Sequence, residues 1–124
     1  MTTTALTAEA FQDTVRADGI VLVDWWAAWC WPCRAFAPVF EAASEQYPDI
    51  TFATIDTEAE QALSAAADIR SIPTLMAFRD GVLVFSQPGA LPAQSLEQLI
   101  AGVRSLDMAE VRTQLAAQQQ DSSV

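Results

Sequence analysis

Histidine and lysine are absent from the 124 residues, and cysteine occurs only twice. Without histidine no Ser-His-Asp or Cys-His hydrolase can be assembled, and without lysine there is neither a Schiff-base amine nor the phosphate-holding lysine of a Walker loop. Structural metal is not expected either, because two cysteines with no second pair and no histidine fall short of the usual tetrahedral zinc set. Positive charge is scarce. All six basic residues are arginines, they do not cluster, and the sixteen acids leave a formal net charge of −10. Phosphate binding wants a basic patch, so nucleic acid is not an expected partner. No run is long and apolar enough to span a membrane, and Met1-Thr2-Thr3-Thr4-Ala5-Leu6 has neither the basic region nor the apolar stretch of a secretory signal. The expected location is cytoplasmic, where a structural disulfide is kept reduced and a catalytic one can cycle.

What the chain does have is its two cysteines in one motif, Trp29-Cys30-Trp31-Pro32-Cys33, directly after the apolar run Ile20-Val21-Leu22-Val23 with Asp24, Trp25 and Trp26. A Cys-x-x-Cys pair at a helix start closes into a disulfide with little loss of chain entropy, since the helical turn already brings the side chains close. The N–H groups and the positive end of the dipole stabilise a thiolate at an exposed Cys30 and make it the nucleophile, with Cys33 one turn inside as the resolving thiol. Pro32 suits the first turn, where its missing N–H has no helical partner to lose.

Strand and helix alternate along the chain. Thr3 to Leu6 reads as a short edge strand, and Thr7 as the cap of a helix running to about Ala17, with Phe11 and Val15 on one face. Ile20 to Trp25 is apolar on both faces, as a buried parallel strand should be. The motif helix runs from about Pro32 to Gln46, with Pro38 predicting a kink inside it. Ile50 to Asp56 reads as a strand, Glu58 to Ala67 as a helix, and Thr74 to Arg79 with Val82 to Gln87 as a hairpin around Asp80-Gly81. Pro92 to Val103 supplies another helix. Asp107 caps a last one carrying Met108, Val111 and Leu115 at helical spacing, before a polar tail from Gln118 to Ser123. The expected class is α/β, a mixed central sheet with helices on both faces. Residues 1–105 form the domain, and 106–124 a helical extension with its tail.

Over roughly Leu6 to Val103 the sequence resembles the thioredoxins. The resemblance rests on Val23-Asp24-Trp25-Trp26-Ala27-Ala28-Trp29-Cys30-Trp31-Pro32-Cys33-Arg34, Ala37-Pro38, Arg70-Ser71-Ile72-Pro73-Thr74, Arg79-Asp80-Gly81 and Pro88-Gly89-Ala90, in the family's order and spacing. It implies the thioredoxin fold and a catalytic set of Cys30, Cys33 and Asp24, the last being a buried carboxylate that helps deprotonate the resolving thiol. It further implies that Trp29, Pro32 and Pro73 support the site, and that the Ile72-Pro73 bond is cis and stands opposite the cysteines. Trp31, Ser71, Ile72, Gly89 and Ala90 would form the substrate rim, with the backbone of Ile72 pairing an extended substrate.

Several positions depart from the family pattern. Thr54 stands where many members place a lysine near the aspartate, so desolvation acts on Asp24 with no opposing cation and its pKa should rise. Ser71 replaces a glycine, Pro88 a branched apolar residue, and Trp31 the usual glycine between Cys30 and Pro32. The reading that follows is a monomeric protein disulfide reductase without metal or organic cofactor. Its partners are substrate proteins with disulfides and a thioredoxin reductase as electron donor. A less reducing thiol oxidase or isomerase, and a redox-silent binding module of the same fold, are the alternatives.

Overall fold

Seven consecutive residues, Ile20–Trp26, form strand β2 at the centre of the sheet, and six of them are apolar because helices cover both faces. The computed structural model describes residues 2–122, with side chains for 2–118. In chain order the elements are β1 (Thr3–Ala5), α1 (Ala8–Arg16), β2, α2 (Trp31–Gln46), β3 (Thr51–Asp56), α3 (Gln61–Ala66), β4 (Thr74–Arg79), β5 (Val82–Pro88), α4 (Ala93–Arg104) and α5 (Met108–Ser122). The sheet order is β1-β3-β2-β4-β5. β1, β3 and β2 run parallel, while β4 is antiparallel to both β2 and β5. This is the mixed α/β sheet of the thioredoxin fold with an additional C-terminal helix.

Alternation along β2 divides the core. Val21, Val23 and Trp25 point to one face and pack with Phe11 and Val15 of α1 and with Ala53, Ile55, Met76 and Phe78. Ile20 and Leu22 point to the other, against Phe36 and Phe40 of α2 and Leu96, Ile100 and Val103 of α4. Period-two alternation therefore sends Asp24 toward α2. Phe40 anchors that layer, its ring 5.7 Å from Phe36 and 5.1 Å from Phe52. Fully burying side chains of this size is worth about 1.5–3 kcal/mol each, and α2 is held to the sheet largely by this contact.

The hairpin turn follows its sequence signal. Asp80 and Gly81 both have positive φ, 52° and 82°, as a two-residue primed turn requires. Asp80 also ties the turn to the preceding loop, since Gly19 N donates to Asp80 Oδ1 at 2.8 Å and Asp80 N to the Gly19 carbonyl at 2.9 Å. Arg79 closes the far end of α4, donating through Nη1 to the carbonyls of Val103 (2.7 Å), Arg104 (3.0 Å) and Leu106 (2.7 Å). Carbonyls at a helix C-terminus lack the donors of a following turn, and a cation there also suits the helix dipole.

The structure differs from the expected elements in detail, most boundaries by a residue. The helix expected from Glu58 starts at Gln61, because the Asp56 carboxylate accepts the N–H groups of Glu58 and Ala59 and makes a turn of that stretch. Thr7 sits at the N-cap of α1 without a side-chain hydrogen bond, its carbonyl accepting from Ala10 N instead. The expected polar tail is helical through Ser122, as alanine and glutamine are good helix formers, and Ser123 lies outside the described residues. The Asp107 cap does form, with Oδ1 accepting from Ala109 N and Glu110 N. Met108 is buried, Val111 half-buried and Leu115 exposed. No helix among the described residues is long and apolar enough to cross a membrane.

Candidate active site

Cys30 is the N-cap of α2. Its backbone is extended (φ −85°, ψ 112°), and its Sγ accepts a hydrogen bond from the Cys33 N–H at 3.2 Å. Trp31 and Pro32 begin the helix, so the Cys33 N–H that reaches the sulfur is a first-turn donor with no helical partner of its own. Cys30 and Cys33 are joined as a disulfide, with Cα atoms 5.3 Å apart. In the reduced form that N–H and the positive end of the α2 dipole would face a thiolate at Cys30 and favour its charge.

The first sulfur is better covered than the motif alone implies. Cys30 is 4% exposed and Cys33 2%, where sequence reasoning expected an exposed Cys30. Ala27, Trp26 and Ile72 pack around the pair, and the Ile72 carbonyl oxygen lies 3.7 Å from Cys30 Sγ. The Ile72–Pro73 bond is cis, as the resemblance implies. The Pro73 carbonyl accepts from Gly89 N at 2.8 Å, and Thr74 Oγ1 donates to the Ser71 carbonyl at 2.6 Å, so loop 71–73 is held from both sides. Ser71, Gly89 and Ala90 are exposed and Ile72 is half-buried, which places the expected rim residues at the surface, Ile72 beside the disulfide.

Asp24 lies beneath. It is 2% exposed, its Oδ1 has no hydrogen-bond partner, and burial pushes its pKa from the ordinary 3.8 up to about 7. Its neighbours in register are Thr54 on β3 and Leu75 on β4, and neither carries a charge. A cavity of about 240 Å³ opens beside it, lined by Asp24, Trp26, Cys33, Arg34, Ala37 and Thr54. The carboxylate and the second cysteine of the motif thus border one space.

The four tryptophans divide sharply. Trp25 is fully buried, 5.8 Å from the Phe11 ring, and its Nε1 finds no partner. Trp26 is half-buried beside the disulfide. Trp29 and Trp31, on either side of Cys30, are 70% and 75% exposed. Trp29 Nε1 donates to Glu58 Oε1 at 2.6 Å. Glu58 and Arg34 are the site residues that sequence reasoning missed. Arg34 ends the motif stretch directly after Cys33 but was given no role there, while Glu58 carries no local signal, being an ordinary surface charge until the fold brings it beside a tryptophan. Among the described residues no group of three histidine, cysteine or acidic side chains stands where it could hold a metal.

The thioredoxin family model matches residues 2–102, most of the chain and every element from β1 to nearly the end of α4. The chain belongs to the thioredoxin family. A Streptomyces coelicolor protein that carries the name thioredoxin 2 is 51% identical over 117 residues, which is 94% of this chain and 87% of that protein. The thioredoxin of Alicyclobacillus acidocaldarius is 40% identical over 102 residues, covering 82% of this chain and 97% of the relative. Among solved structures, a mutant thioredoxin from Halobacterium salinarum superposes with a TM-score of 0.77 at 33% identity, over 84% of this chain and 92% of the other. A thioredoxin structure from Plasmodium falciparum gives 0.73 at 29% identity, over 80% and 97%. Family membership with a Cys30–Cys33 disulfide makes the chain a thiol-disulfide oxidoreductase.

Proposed function

We propose that this thioredoxin-family protein is a protein disulfide reductase in which Cys30 attacks and Cys33 resolves. The observation that carries the reading is the asymmetry of the pair. The helix N-terminus serves Cys30 Sγ through Cys33 N–H, whereas Cys33 shares a cavity with the unpartnered Asp24. In the reduced protein the Cys30 thiolate attacks one sulfur of the target disulfide. That S–S bond breaks, a mixed disulfide forms, and the released target sulfur takes up a proton. Cys33 then gives its proton to Asp24 and attacks Cys30, breaking the mixed disulfide and releasing the second target sulfur, which becomes a thiol by taking up a proton through solvent as Asp24 gives its own back and is ionised again. Two electrons and two protons have passed to the target, and Cys30–Cys33 has become the disulfide.

Trp29, Pro32 and Pro73 support the pair, while Trp31, Ser71, Ile72, Gly89 and Ala90 meet the substrate. Residues 1–105 act as the thioredoxin domain and 106–124 as its extension. The protein works in the cytoplasm as a monomer on substrate proteins with disulfides, and a flavin- and NADPH-dependent thioredoxin reductase recharges it. No cofactor of its own takes part.

Dithiothreitol-driven insulin turbidity on the full chain tests the activity, and a redox titration tests its direction. A reductase gives rapid turbidity and a potential near the roughly −270 mV of reducing thioredoxins. A value close to the roughly −120 mV of a strong dithiol oxidant would overturn the reading in favour of an oxidase.

A further inference from the structure

Glu58 is fixed at the edge of the Trp29 indole. Its Oε1 accepts the Nε1–H at 2.6 Å, and its own backbone N–H donates to Asp56 Oδ1 at 2.9 Å, so backbone and side chain are both held. The indole nevertheless stays 70% exposed. Oε1 alone of the two carboxylate oxygens has a partner among the described residues, and none of the ion pairs there involves Glu58. Among the described residues no cation covers the face of Trp29 either. The cation–π contact that the described residues do make is Arg104 over Tyr47, while Arg70 is paired with Asp68 at 3.0 Å and Arg34 lines the cavity beside Cys33.

An electron-rich ring face and a fixed carboxylate at its rim ask for a flat cation. A guanidinium stacks on an indole and donates in its own plane to a carboxylate, which a compact ammonium does less well. The net charge of −10 adds a long-range attraction for such a group. The pair adjoins Cys30 through the peptide bond from Trp29, so a side chain seated there belongs to the stretch of target that carries the attacked sulfur.

We propose that Trp29 and Glu58 form a cation subsite, which makes this protein prefer target disulfides with an arginine adjacent to the attacked cysteine. This rests on the disulfide-reductase reading above. Glu58 is a specificity-determining residue here and takes no part in the sulfur chemistry.

The test uses the full chain in its reduced form and synthetic peptides with one intramolecular disulfide. They are identical except for arginine, its neutral isostere citrulline, lysine or glutamate beside the cysteine. Reduction rates should favour arginine over citrulline by about fivefold at low salt, with lysine between them and glutamate slowest. Glu58→Gln keeps an acceptor for the indole and should leave the Trp29 emission in place, yet bring the arginine-to-citrulline ratio below about twofold. Glu110→Gln removes a similar charge from α5 and should leave that ratio as it is, which separates the subsite from overall charge. Equal rates for arginine and citrulline, or a ratio that Glu58→Gln does not change, overturn the subsite while leaving the reductase reading intact. Failure to reduce any of the peptides overturns both.

Discussion

Asp24 stands opposite Thr54 across the parallel β2–β3 ladder, so the buried carboxylate faces a hydroxyl residue where a cation would neutralise it. Leu75 on β4 offers no charge either. The group is therefore governed by desolvation alone, and its pKa of about 7 lets it both take and release a proton near neutrality.

That shift sets how stability depends on pH. Below the ordinary 3.8 both folded and unfolded chains hold the proton, and nothing is lost. Between 3.8 and about 7 the unfolded chain ionises while the folded one does not, so stability falls as pH rises and levels off above about 7. The full loss is on the order of 4 kcal/mol. Asp24→Asn abolishes it but buries an amide with unmet hydrogen bonds, costing about 1–3 kcal/mol. The variant should gain about 1–3 kcal/mol at pH 8 and gain nothing near pH 4 in paired urea denaturation curves. A variant less stable than the parent at pH 8 would show that the carboxylate is held by partners.

Thr54→Lys supplies the missing cation on the same face of the sheet. An opposite charge within about 4–6 Å lowers a carboxyl pKa by about 1–3 units, so Asp24 should titrate well below 7 in a pH series followed by carboxyl NMR. The Asp24→Asn gain at pH 8 should shrink in this background, since the charge is no longer uncompensated.

The cysteine roles separate by trapping. Cys33→Ser should accumulate stable mixed disulfides with protein targets, whereas Cys30→Ser should trap almost none, read by non-reducing gel electrophoresis. Asp24→Asn should slow release of the target from the mixed disulfide by at least about tenfold at neutral pH. Equal trapping by the two serine variants would reverse the assignment.

Trp31 bears on docking and on fluorescence. Two exposed indoles flank Cys30, and a nearby disulfide quenches such emission. Trp31→Gly should remove part of the rise in emission on reduction and leave the share owed to Trp29. It should also speed reduction by a generic thioredoxin reductase, because a bulky exposed indole beside Cys30 gives way to a glycine.

Arg79 is the clasp between β4 and the start of the C-terminal extension. Replacing it with Met deletes three charge-assisted bonds to the carbonyls of Val103, Arg104 and Leu106. The expected loss is about 2 kcal/mol, with the earliest hydrogen-exchange deprotection at the α4–α5 junction.

Chemistry and fold class were legible in the chain itself. Cys30 and Cys33 declared themselves by spacing, because a helical turn brings such a pair together wherever it occurs, and Asp80-Gly81 announced its turn because few residue pairs tolerate positive φ twice. The apolar run Ile20–Val23 likewise settled which strand is buried on both faces. Local pattern stops at contacts between distant segments. Only the tertiary structure decided that Cys30 is covered, since Ile72, which packs on the pair with Ala27 and Trp26, comes from forty-two residues away. It alone set Glu58 against Trp29 and let Arg79 close α4, because an exposed charge reads the same in sequence whatever it meets. The Asp24 cavity is of the same kind. Its walls come from β2, β3 and α2, and the space between them is a property of how three elements pack, which no stretch of sequence contains.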